Sequence, residues 1–229
     1  MKLKLNVTYA LTLIILFFSV DSFAQNTYYK VNGGGTIDEK SYTEFKENMA
    51  KDGKIEELHL KTIEKKDSII NYIKLGKPVT TPDGFDPWGE TKKFIGTKFP
   101  IEKYVDNDSK NFNSNYLEGK PTFINFWFTR CPPCIEELPT LNKLKEKYGD
   151  RVNFVSITYE NQKAIDEFLK KYEFNFKHIP NSEKQIDELS ISGYPTSIIL
   201  DKNGIIKIVF PQIPEHELKD IETTLDILL

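Results

Sequence analysis

The chain has 229 residues, a formal net charge of −3 and 31 Lys plus Arg against 34 acids. That balance offers no strong field to DNA or an anionic membrane, and only Arg130 and Arg151 are of the type that reads phosphate and guanine, so no nucleic-acid partner is expected. Two cysteines three positions apart exclude a disulfide-rich scaffold and a four-cysteine zinc site, while 39% hydrophobic and 13% aromatic content exclude a disordered chain.

The chain opens on a basic Met1-Lys2-Leu3-Lys4, runs through an apolar Ala10 to Val20, and reaches small residues at Ser22 and Ala24. Residues 1–24 therefore read as a signal peptide with cleavage before Gln25. An uncleaved membrane anchor through residues 5–20 is the alternative, although the run is short for a bilayer. Either reading sends the rest of the chain across the inner membrane, to the periplasm, where thiols meet oxidising conditions.

Residues 26–75 are expected to form a small α+β module. Tyr28 to Val31 is a strand. Tyr42, Phe45 and Met49 repeat at helical spacing behind a cap at Asp38. Leu58–Leu60 and Ile69–Leu75 are two strands around Lys65-Lys66-Asp67. Residues 76–98, punctuated by Gly and Pro, read as a linker with Trp88 packing on one neighbour.

From residue 99 to 229 strands and helices alternate. Phe123 to Phe128 is near-continuously apolar, as a strand buried on both faces should be. A helix over 132–148 follows. Next come a strand at 152–159, a helix at 162–172, a strand at 174–179 and a short helix at 183–189. Strands at 197–200 and 205–210 join through Asp201-Lys202-Asn203-Gly204, and an amphipathic helix over 215–228 ends the chain. This order implies an α/β fold with a mixed sheet between helices.

The chemistry concentrates at Cys131-Pro132-Pro133-Cys134, right after the buried strand and at the start of the next helix. Unpaired N–H groups and the positive dipole end there favour a thiolate, the nucleophile of disulfide exchange. One turn on, Cys134 lies on the same face. The prolines cost no intrahelical bond in the first turn. A zinc site would have to recruit the scattered His59, His178 or His216. A purely structural disulfide would close too short a loop to stabilise much.

These residues resemble the thioredoxin superfamily, and within it the secreted thiol–disulfide reductases of the TlpA/ResA type. The likeness covers residues 94–229. It rests on the run Asn125 to Cys134, on Glu137-Leu138-Pro139, on Gly193-Tyr194-Pro195-Thr196, and on the lead-in Leu117-Glu118-Gly119-Lys120-Pro121. It implies a thioredoxin fold, Cys131 as attacking thiol, Cys134 as resolving thiol, and a cis Tyr194–Pro195 bond facing them. Trp127, Arg130, Pro132, Pro133 and Tyr194 are then expected to meet the substrate. The implied partners are disulfide-bonded proteins and a membrane thiol electron donor, with no metal or cofactor.

Two positions depart from the family. Arg130 stands where a Trp is common; its charge could favour the Cys131 thiolate, steer acidic substrates, or do neither. Asn125 stands where cytoplasmic thioredoxins carry a buried Asp. The resemblance moves the acid to Glu137, a helical turn beyond Cys134, as the group that takes the Cys134 proton. A solvated glutamate like Glu136 is the alternative.

With Pro132 and Pro133 in the first turn, only the Cys134 N–H is left near the Cys131 sulfur. A less stabilised thiolate means a lower potential, hence reduction of substrates. Two other functions fit less well. A disulfide-forming oxidant would need the larger helical insertion seen in periplasmic oxidases. A binding module on this scaffold would not need both cysteines.

Overall fold

The computed structural model describes residues 25–105, 112–213 and 215–229; the expected signal segment, residues 1–24, lies outside them. The N-terminal residues build a four-stranded sheet of order β2-β1-β4-β3, from β1 (Asn26–Val31), β2 (Thr36–Asp38), β3 (Glu56–Glu64) and β4 (Ser68–Gly76). Only β1 and β4 pair in parallel. Helix α1 (Glu39–Ala50) starts where the Asp38 carboxylate accepts the Ser41 N–H at 2.8 Å. It stacks Tyr42 on Tyr29, centroids 3.9 Å apart, over Ile73 and Leu75. Phe45, expected on the same apolar face, is 43% exposed; one buried ring fills the narrow contact with the sheet.

The main sheet has the order β7-β6-β5-β8-β9. Its strands are β5 (Thr122–Phe126), β6 (Asn153–Ile157), β7 (Lys177–Ile179), β8 (Thr196–Leu200) and β9 (Ile206–Phe210). β5, β6 and β7 run parallel, and β8 and β9 antiparallel to their neighbours. This is the expected thioredoxin fold. Every residue of β5 is buried, and alternation sends Phe123 to one core and Ile124 and Phe126 to the other. The first core lies under α3 (Pro132–Tyr148) and α6 (Leu218–Leu228). The second lies under Phe99, Ile101, Tyr104 and α5 (Glu183–Glu188). In the β8–β9 hairpin the Asp201 carboxylate accepts N–H groups from Asn203 and Ile205, and Gly204 supplies the φ of +77° that the turn requires.

The expected strand at 174–179 pairs over Lys177–Ile179 only, and the helix expected to Tyr172 is α4 (Gln162–Leu169). The interval 76–98 holds a short helix, α2 (Gly89–Lys92), and then runs along the β9 side of the main sheet, where Gly96 N–H bonds Ile206 C=O and Ile206 N–H bonds Thr97 C=O. Among the described residues no helix is long and apolar enough to cross a membrane.

The two sheets share a core. Leu60 of β3 is 2% exposed and clusters with Phe123, Trp127 and the α6 side chains, while Lys61 Nζ donates to Ile227 C=O at the end of α6. Leu60→Ala is therefore expected to cost about 2–5 kcal/mol. Urea unfolding should stay a single transition, coincident by tryptophan fluorescence and far-UV circular dichroism, with its midpoint lowered. A separate early transition would show that the N-terminal sheet unfolds alone.

Candidate active site

β5 delivers the chain to the start of α3 through a turn in which Cys131 N–H donates to Phe128 C=O at 3.2 Å. Cys131 caps α3, with Pro132 and Pro133 in the first two helical positions, and its sulfur accepts the Cys134 N–H at 3.3 Å. The cysteines are joined in a disulfide with Cα atoms 5.2 Å apart. Both are covered, Cys131 at 1% and Cys134 at 2% exposure, so an exchanging partner must displace part of the rim to reach sulfur. Pro132 is exposed and Pro133 half-buried beside them.

The turn before Cys131 is held by a residue that sequence reading missed. Glu160, just past β6, accepts from Thr129 N–H at 2.6 Å and from Thr129 Oγ1 at 2.8 Å. Its only signal in sequence is its place at the carboxyl end of a parallel strand, where loops of α/β sheets gather functional groups. Arg130 is exposed, and its charge acts on the Tyr159 hydroxyl, opposing the burial and the Glu160 charge that push that hydroxyl up. Phe128, Tyr159 and Tyr194 form an aromatic rim with centroid separations of 5.8, 5.4 and 6.2 Å. Tyr194 precedes the cis bond to Pro195 and packs against the cluster that contains both cysteines. Burial is the largest influence raising its hydroxyl to about 12.

Trp127 is not on that surface. It is 1% exposed and packs against Phe168 at 4.8 Å and Phe174 at 5.2 Å. The alternation that buries Phe123 turns Trp127 inward too, so it packs behind the site and not on its aromatic rim.

Glu137 is not a solvated helix glutamate. It is 1% exposed on α3, one turn past Cys134 and on the same buried side. Its Oε1 accepts from Asn125 Nδ2 at 2.8 Å and its Oε2 from Ile213 N–H at 3.0 Å. Burial pushes the carboxyl up to about 7, against the lowering effect of these two donors. Asn125 also donates to Ser197 Oγ at 3.0 Å, which ties the acid to β8 as well as β5. A buried His178 lies two strands away, with Nδ1 on Ser156 Oγ and Nε2 on Phe174 C=O; burial lowers its pKa.

A carboxyl that binds its proton more tightly when folded stabilises the protein below its ordinary value of 4.5, and that stabilisation is lost as pH rises to about 7. At about 1.4 kcal/mol for each pH unit, the loss approaches about 3 kcal/mol. Denaturant titrations of the oxidised protein at pH 4.5 and 8 should show wild type losing stability relative to Glu137→Gln by up to that amount. Parallel curves would place the carboxyl in water.

A family model described as Redoxin matches residues 94–225. The thiol-disulfide oxidoreductase ResA of Bacillus cereus is 34% identical over 130 residues, 55% of this chain and 75% of that protein. ResA of Bacillus subtilis is 30% identical over 129 residues, 55% of this chain and 72% of that protein. Among solved structures, a DsbE-type thiol:disulfide interchange protein of Chlorobium tepidum superposes with a TM-score of 0.51 at 17% identity, covering 58% of this chain and 94% of its own. The thioredoxin domain of a thiol-disulfide oxidoreductase from Bacteroides vulgatus gives 0.50 at 18% identity, covering 57% and 97%. At these identities the two structures speak to the fold alone.

Proposed function

The chain belongs to the Redoxin family as a ResA-like thiol–disulfide oxidoreductase of the thioredoxin superfamily, and from that premise we propose that it works outside the cytoplasm as a reductase of protein disulfides. Its targets are disulfide-bonded secreted or periplasmic proteins, apocytochrome c during cytochrome c maturation among them. One observation carries the direction. The Cys131 sulfur accepts one backbone N–H at the head of α3, that of Cys134, because Pro132 and Pro133 have none to give. A thiolate with few donors is a stronger electron donor. Arg130 works the other way, but its exposed charge is screened by solvent.

In the reduced protein the Cys131 thiolate attacks one sulfur of the substrate disulfide. The substrate's other sulfur leaves as a thiolate, and a mixed disulfide remains. Cys134 gives its proton to Glu137 and attacks the Cys131 sulfur. The second substrate thiolate departs, and the Cys131–Cys134 disulfide closes. Two electrons have moved from the cysteine pair to the substrate, and a membrane thiol donor returns two. A carboxyl raised to about 7 is matched to accepting a proton near neutrality. The loop at Tyr194 and Pro195 offers backbone to the substrate strand beside the cysteines, with Tyr194, Arg130, Pro132 and Pro133 at its rim. The basic start and apolar run of residues 1–24 support export.

Cys134→Ala expressed in its own compartment is expected to hold substrates as mixed disulfides on Cys131, released by dithiothreitol and named by mass spectrometry. Cys131→Ser should hold none. Recovery of no linked protein from Cys134→Ala would overturn the protein-substrate reading. The potential of the pair is expected nearer about −270 mV than about −120 mV; a value at the latter end would make the protein an oxidant.

A further inference from the structure

Residues 86–92 precede the segment that the family model matches, residues 94–225, yet they are fastened to the loop that carries Tyr194 and Pro195. The Trp88 indole N–H donates to Thr196 Oγ1 at 2.9 Å, and Thr196 Oγ1 donates in turn to Gly193 C=O at 2.7 Å. Ser192 Oγ donates to Pro87 C=O at 3.1 Å, and Thr91 Oγ1 donates to Ser190 C=O at 2.8 Å. Thr196 and Thr91 are 0% and 1% exposed, so their bonds are shielded from water, whereas the Ser192–Pro87 bond lies at the surface. The Trp88 ring also lies against Gly193, where an added Cβ would sit 3.6 Å from Nε1. The strap therefore grips the loop before Tyr194 and after Pro195. Its far end is braced by Lys92, which pairs with Asp86 at 3.0 Å and with Glu56, the first residue of β3, at 2.8 Å.

We propose that Trp88 is a positioning residue for substrate recognition. Through Thr196 it fixes the backbone on both sides of Tyr194–Pro195, and Lys92 anchors that clamp to the N-terminal sheet. The inference rests on the reading that this loop pairs with substrate backbone. It gives residues 26–92 a role in affinity for extended polypeptide disulfides and none in electron transfer. A loop held in its bound shape loses less freedom on binding. A loop released from the clamp must be ordered by each substrate, which raises KM while the chemistry at Cys131 stays as it was.

The test uses the full chain and two oxidised probes. One is an extended peptide with a single disulfide, which has backbone to pair; the other is 5,5′-dithiobis(2-nitrobenzoate), which has none. Trp88→Phe keeps the ring and removes the N–H; Lys92→Met keeps the stem and cuts the brace. Both are expected to raise KM for the peptide, Trp88→Phe by about fivefold to tenfold. The peptide kcat, the rate with the small probe and the reduction potential should match wild type. If Trp88→Phe does not fold, Lys92→Met gives the same readout. Unchanged peptide KM in the variants that fold, or equal losses with both probes, would overturn the clamp. Tyr194→Ala separates the two levels of the argument. If it raises peptide KM while the strap variants do not, the clamp alone fails. If it too has no effect, the loop is not where substrate binds, and the recognition part of the proposed function fails with the clamp.

Discussion

A carboxyl sealed in the main core holds the site together. Glu137 takes one hydrogen bond from β5 through Asn125 and one from the segment after β9 through Ile213 N–H. Asn125 passes the link on to Ser197 of β8. Three separate segments are thus tied, β8 through Asn125, to one acid on the helix that Cys131 caps. Two donors favour its ionised form, yet burial outweighs them, because a carboxylate in a nearly dry site gives up more hydration than two neutral donors restore. The result is an acid that can hold or release a proton near neutral pH without a charged partner. Among the described residues it makes no salt bridge.

The same row of the sheet explains why Asn stands at position 125. Ser197, Asn125, Ser156 and His178 are aligned across β8, β5, β6 and β7, so they share the face that α3 covers. A second acid at 125 would sit within hydrogen-bond reach of Glu137, and two carboxyls there could not both ionise. An amide instead gives two donors, one to Glu137 and one to Ser197. His178 further along the row is satisfied by Ser156 and Phe174, and burial lowers its pKa.

Local pattern made much of this legible. The apolar run at 123–128 and the cysteine–proline pattern after it identify β5 and the head of α3, because burial on both faces and capping leave direct marks in sequence. Asp38 is read as a cap for the same reason, and it bonds an N–H three residues on; the cap at Asn161, which bonds the Ala164 N–H, is one that sequence reading missed. What pattern did not separate is which way a large side chain points once the strand has ended. Trp127 lies one residue past β5 and still follows its alternation inward. Nor does pattern show partners that meet only in the folded chain. Glu160 reaches Thr129 across 31 positions, and Trp88 reaches Thr196 across 108. Both look like ordinary loop residues until the sheet order places them beside the active-site turns.

Those two residues divide the task of holding the site. Glu160 fixes the turn that leads into Cys131, from inside the family's own sheet. Trp88 fixes the opposing loop from outside it, through a segment whose Gly and Pro content reads as a linker. That composition does not require slack. Proline limits the backbone before folding, so a proline-rich segment gives up less freedom when it is tied down. Three hydrogen bonds and one half-buried ring can then secure it without regular structure. The loop bearing Tyr194 and Pro195 is gripped by residues that precede the matched family segment, so the N-terminal sheet and the redox sheet are one mechanical unit. Leu60 in the shared core, Lys61 on Ile227 and Lys92 on Glu56 are among the places where that unit is joined.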